Sequence, residues 1–352
     1  MTACQPKTAE QEAPPEPEPG FTYDLIVEKE TLRLRAEAGP EGTVLQTLTR
    51  GARLKDLEQV SDFTSQIQLD GEFYNEPWIR VETEAGDKGW VYARAKDFSL
   101  PGKGSMADWH YHKRLLAYFG PERTEALAAY RSAFQQVRSL TDFVTVYERG
   151  RNLREELVIT LEDQTARIEI EKQPDLFWLS EVMPGFVPQL VAEGTAYYLF
   201  ADYEQWLGKA RQTREEADDT FVQLCISIFP QDSIEYFFPV WQIQTWDYGG
   251  HSLLGRGHHL ATLRTIDRLS RQAPAFEPYL WEWKQDLIND ITAVETTYWE
   301  EQTRALEELN QIVSAGFAYL NRDDKVALET RKQQFENAGQ YGIKFNYKSG
   351  EY

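Results

Sequence analysis

The apolar residues of this chain change period at one place. Before Pro101-Gly102-Lys103-Gly104-Ser105 they alternate in short runs broken by turn residues, and after it they recur every three or four positions. Such a switch predicts strands first and helices second. At 352 residues the chain also exceeds the size at which a single core stops growing. The expected fold is multidomain, with a small all-β barrel over 21–100 and a mostly α-helical domain with at most a small sheet over 105–345. Residues 1–20 form a leading segment and 346–352 a tail.

The leading segment holds five prolines (6, 14, 15, 17, 19) and four glutamates. Proline-rich acidic sequence buries too little apolar area to offset ordering entropy, so a disordered, extended tether is expected, about 50 Å from Cys4 to Gly20 at roughly 3.1 Å per residue. Charge is −20 overall, −3 over 1–20 and −5 over 21–100, with no basic segment. Nucleic acid is excluded as a partner, because phosphate binding needs clustered Lys and Arg. No run of about eighteen apolar residues predicts a membrane span. Two cysteines, Cys4 and Cys225, cannot build a disulfide framework, and Cys225 lies in the apolar run FVQLCISIF.

Between 21 and 100 the strand signals are LRLR (32–35), TVLQTL (43–48), ARLKDLEQV (52–60), WIRVET (78–83) and GWVYA (89–93), separated by AEAGPEG, Arg50-Gly51 and AGDK. Leu32, Leu34, Arg35, Gly39, Pro40, Val44, Leu45, Leu48, Gly51, Trp78, Val81, Gly86, Gly89, Trp90 and Val91 fall in an order that resembles the bacterial SH3 (SH3b) domain family. That resemblance implies binding to a cell-wall peptide or an envelope protein. The connection SDFTSQIQLDGEFYNEP (61–77) is longer than the family's, and its LDGEF is a turn signal for an extra hairpin. Phe63, Phe73 and Tyr74 in it form a recognition surface or cover the end of the barrel. Trp78, Trp90 and Tyr92 complete the candidate ligand-binding set, with a core role for the tryptophans as the other reading. Thr2-Ala3-Cys4 resembles the end of a bacterial lipobox, with Met1 where that motif has leucine. It implies lipidation at Cys4, hence a membrane partner through a lipid anchor and a place in the bacterial envelope.

In the second domain Leu127, Tyr130, Phe134 and Val137 make a helical stripe after Pro121. Leu280, Trp283, Leu287, Ile291, Val294, Tyr298, Ala305, Leu309 and Ile312 predict one helix of more than thirty residues, with Glu300, Glu301, Glu307 and Glu308 on its solvated face. Residues 156–172 fit a hairpin or a helix, and AYYLF (196–200) reads as a strand.

All five histidines lie in two clusters, DWHYH (108–112) and WDYGGHSLLGRGHH (246–259). On a helix His110 and His112 point about 200° apart. His251 and His258 stand about two turns apart, too far for one metal. Known signatures fail at single positions: Leu254 stands where G-x-S-x-G needs glycine and where G-x-H-x-x-E needs glutamate. Trp246, Tyr248, His251 and Arg256, among the glycines at 249, 250, 255 and 257, form the candidate patch of the helical domain. These residues point to a non-enzymatic lipoprotein without cofactor or metal. The alternative is an envelope metal-dependent hydrolase joining the two histidine clusters, with the SH3b domain as its targeting module.

Overall fold

The computed structural model describes residues 22–102, 104–165, 168, 173–191, 196–245 and 250–349. The chain divides into two compact units, Met1–Gly120 and Pro121–Tyr352. The tether and Cys4 lie outside the described residues.

The first unit is one antiparallel sheet of β1 (Leu25–Val27), β2 (Thr31–Arg35), β3 (Val44–Thr49), β4 (Arg53–Leu69), β5 (Glu72–Thr83), β6 (Lys88–Tyr92) and β7 (Phe98–Ser99), in the order β3-β2-β6-β5-β4-β1-β7. Alternation sets its sides. Leu32, Leu34, Ile79, Val81 and Val91 point into one core with Leu25, Leu54 and Phe98. Gly89 is required by close approach: a Cβ there would lie 2.5 Å from the Arg35 carbonyl oxygen.

The expected closed barrel is not formed. β3 pairs only with β2 and β7 only with β1, leaving two free edges. β7 is two residues long, and the chain then enters α1 (Met106–Gln136), whose Met106 and Trp109 pack against the sheet core. The Trp109 and Phe98 ring centroids are 5.7 Å apart. A helix thus covers core surface that closure would have buried.

The long connection 61–77 is a hairpin, as a direct prolongation of β4 and β5 from Thr64↔Pro77 to Leu69↔Glu72. Its turn is Asp70-Gly71, at φ 56° and 87°, as a two-residue turn of the type I′ kind requires. Two register shifts, between Asp56 and Val60 and between Val60 and Thr64, bend β4.

α1 breaks at Gly120 (φ 75°, ψ 176°), followed by Pro121, and the second unit begins there. That unit contains the rest of α1, then α2 (Leu140–Thr165), α3 (Leu179–Val182), α4 (Tyr203–Ala210), α5 (Glu216–Ile228), α6 (His258–Gln272), α7 (Glu277–Thr292), α8 (Gln302–Ser314), α9 (Arg322–Glu336) and α10 (Ala338–Tyr341). Two hairpins join them: β8 (Phe186–Val191) with β9 (Ala196–Ala201), and β10 (Gln242–Gln244) with β11 (Gly250–Ser252). Leu127, Tyr130, Phe134 and Val137 are buried, and Trp206 packs edge-on against Phe134, Phe143 and Tyr147 at 4.9–5.5 Å. Residues 156–165 close α2 as helix; most of 166–172 lies outside the described residues. No helix among the described residues is long and apolar enough to cross a membrane.

Two expectations fail at the long helix. It is two helices, α7 and α8, with Ala293 extended (ψ 142°) and Val294 90% exposed. The buried Tyr298 hydroxyl donates to the Ile291 carbonyl (2.6 Å), satisfying an end carbonyl of α7. Glu300 and Glu308 are also buried, not solvated. Glu308 accepts backbone N–H groups from Gly255, Gly257 and Leu260 (2.6–3.0 Å), so its charge lies at the N-terminus of α6.

Candidate functional site

Cross-strand pairing in the first unit places Trp78 opposite Tyr92, and Arg80 opposite Trp90, on the side of the sheet away from the core. Arg35 of β2 is paired with Trp90 from the other edge of β6. Arg35, Trp90 and Arg80 therefore form one row across three strands. Trp90 is half-buried, and Arg80 donates to the Gln59 side chain at 2.8 Å. The Arg35 guanidinium lies 5.7 Å from the Trp78 ring centroid. Phe63 is 44% exposed and approaches the turn at Gly39.

Residues 30–95 match the family model of the bacterial SH3 domain. No curated protein and no solved structure matches the chain. The match ends before α1, so the helix that covers the core lies outside the recognised SH3 domain.

The six candidate ligand residues fall into three groups. Trp78 and Tyr92 are buried: the Trp78 indole donates to the Ser65 hydroxyl (2.9 Å), and the Tyr92 hydroxyl accepts from the Glu76 backbone N–H (3.0 Å). Burial pushes the Tyr92 phenol up in pKa. Both pin the prolonged hairpin. Tyr74 and Phe73 lie near its tip, where Arg94 and Lys96 each sit 4.8 Å from the Tyr74 ring centroid and Phe73 is 67% exposed. Trp90 stands within the arginine row, and Phe63 lies by the turn at Gly39.

What sequence reasoning missed is the seam between this hairpin and residues 106–119. Glu76, 1% exposed, accepts from His110 Nε2 (2.8 Å) and from Arg114 Nε and Nη2 (2.9 and 2.6 Å). Burial pushes the Glu76 carboxyl up, but hydrogen bonds and charge from His110 and Arg114 outweigh it and hold it below its usual range. Beside it, Lys113 Nζ lies 2.7 Å from Asp56, whose carboxylate also accepts from the Trp109 indole. His112 faces outward, as the helix geometry predicts. The available signal was spacing: Trp109, His110, Lys113 and Arg114 share one helical face.

In the second unit Trp246 and Tyr248 lie outside the described residues. His251 bonds through Nδ1 to the Thr297 hydroxyl (2.7 Å) and meets the Tyr347 ring, tilted by 33°, with centroids 4.3 Å apart. Arg256 reaches the buried Glu300 (2.9 Å), which also holds Lys348 (2.8 Å). The C-terminal segment thus packs Tyr347 on His251 and shares Glu300 with Arg256, which stays exposed. His259 is fully buried, with Nε2 2.7 Å from Asp290; Asp290 also accepts from the Ser252 hydroxyl (2.6 Å) and the Gln242 amide (2.7 Å). Serine and histidine both turn to the acid and not to each other, unlike a nucleophile–base pair. Among the described residues no group of three or more His, Cys, Asp or Glu could hold a metal ion.

Proposed function

We propose that this chain is a non-enzymatic protein of a bacterial envelope whose SH3 domain binds a cell-wall peptide or an envelope protein. A lipid on Cys4 and an extended acidic tether would hold it to a membrane. The match of residues 30–95 to the bacterial SH3 domain carries the binding half of this reading. On that domain Trp90 and Arg80, in one row with the buried Arg35, and the exposed Phe63 offer ring and guanidinium chemistry suited to a peptide backbone and its carboxylates. Thr2-Ala3-Cys4 and the proline-rich stretch behind it carry the anchoring half. The hydrolase reading has less support, since the acid–histidine contacts of both units join elements of the fold to one another.

The test uses the full chain, because the sheet core is covered in part by residues 106–119. Purified cell wall should retain the wild type and lose most of the Phe63→Ala/Trp90→Ala variant. Equal retention of the two removes this face from the reading, and no retention of either redirects the search to a protein partner. Mass spectrometry of the native product tests the anchor: an unacylated Cys4 discards it.

A further inference from the structure

A concavity of about 1040 Å³ in the second unit lies between the β8–β9 hairpin and residues 229–244. Its floor is aromatic. Tyr236 and Phe237, each 50% exposed, pack against Phe200 at 5.6 and 5.1 Å between centroids, so their outer faces form a fixed platform.

Four glutamines are among the lining residues. Gln189, Gln231 and Gln244 present side-chain amides that have no hydrogen-bond partner among the described residues. Among the described residues no Lys, Arg or His lines the space. Of its two acids, Glu235 is held by Arg154 at 2.6 Å, which leaves Asp232 as the acid without an ion-pair partner among the described residues.

We infer that this groove is a binding site for a neutral saccharide chain. An amide both donates and accepts, as a sugar hydroxyl does, so three unpaired amides around a ring platform complement a polyol. The platform meets the apolar C–H face of a pyranose, whose edge-positive hydrogens suit the negative face of an aromatic ring. Charge disfavours the anionic polymers: among the described lining residues a phosphate or carboxylate chain would find Asp232 and no cation. The site is independent of the SH3 domain, and it gives the helical unit a recognition role of its own.

Calorimetry on the full chain tests this, with the neutral tetrasaccharides of β-1,4-linked glucose, β-1,4-linked N-acetylglucosamine and α-1,4-linked glucose as probes. At least one should bind in the millimolar range or tighter. Tyr236→Ala/Phe237→Ala should weaken it by about tenfold or more. Because that variant removes packed rings, Gln231→Ala/Gln244→Ala, confined to exposed amides, should weaken it by about threefold with an unchanged near-ultraviolet spectrum. No binding by any of the three overturns the inference, as does wild-type affinity in both variants. So does a groove that rejects all three sugars yet captures an extended peptide in a Tyr236-dependent way.

Discussion

Glu76 with His110 in the first unit, and Asp290 with His259 in the second, are the same pair by distance: a buried carboxylate with an imidazole Nε2 at 2.8 or 2.7 Å. Their other partners differ. Glu76 also holds the Arg114 guanidinium through two bonds, whereas Asp290 also holds a serine hydroxyl and a glutamine amide. The first is an ion cluster fastening a helix over a sheet; the second is a polar knot joining β10, β11, α6 and α7. A histidine beside an acid therefore says little about chemistry until its remaining partners are counted. Neither pair presents a nucleophile to the imidazole.

The largest effect should come from removing the fastened element. A chain ending at residue 100 keeps every strand of the first unit but loses Met106 and Trp109 from its core and leaves Glu76 and Asp56 without His110, Arg114 and Lys113. It should lack a cooperative thermal transition that a chain ending at residue 120 retains. Equal melting of the two would show that the ion cluster contributes nothing to the sheet. Smaller, and more direct, is the pair of isosteric changes Glu76→Gln and Asp290→Asn. The first removes the charge of a buried carboxylate from a partly buried guanidinium and should cost about 3–5 kcal/mol; the second weakens bonds from a hydroxyl and an amide and should cost about 1–3 kcal/mol. Urea unfolding of both variants decides the matter, and a reversed order would mean that Arg114 recovers water when its partner is lost.

What was legible in the sequence follows the same division. Strand alternation located the sheet, because Leu32, Leu34, Ile79, Val81 and Val91 each need one buried side. It could not reveal that the sheet stays open, since that depends on a helix that begins at Met106, beyond the end of β6 at Tyr92 and outside any local pattern. His110 was visible as a residue but not as a partner of Glu76, thirty-four positions earlier. The apolar stripe through 280–312 was real, yet periodicity does not register a break in which Tyr298 caps α7. Glu308 looked like surface for a similar reason: acidic spacing on a helix gives no sign that three backbone N–H groups of another element will meet it. The arginine row beside Trp90 follows from pairing register, and the groove at Tyr236 from loops, neither of which a single sequence specifies.

The smallest expected effect is the response of the first pair to acid, set by Glu76. Glu76 is held below its usual value near 4.5 in the folded chain, so the native state binds fewer protons than the unfolded state on the acid side. Its contribution is fully present above the unfolded value and is lost as pH falls through the folded one. Other depressed carboxylates, Asp267 and Glu300 among them, add a similar loss, so a single curve for the wild type cannot isolate it. The difference between wild type and Glu76→Gln can, because the background is common to both. Urea midpoints measured from neutral pH down to pH 3 should show the gap constant above about pH 5 and shrinking below it, as protonation turns the native carboxylate into a neutral group much like the glutamine. A gap that keeps its full size at the acid end would mean that Arg114 and His110 fasten the helix through shape and burial and not through the charge on Glu76.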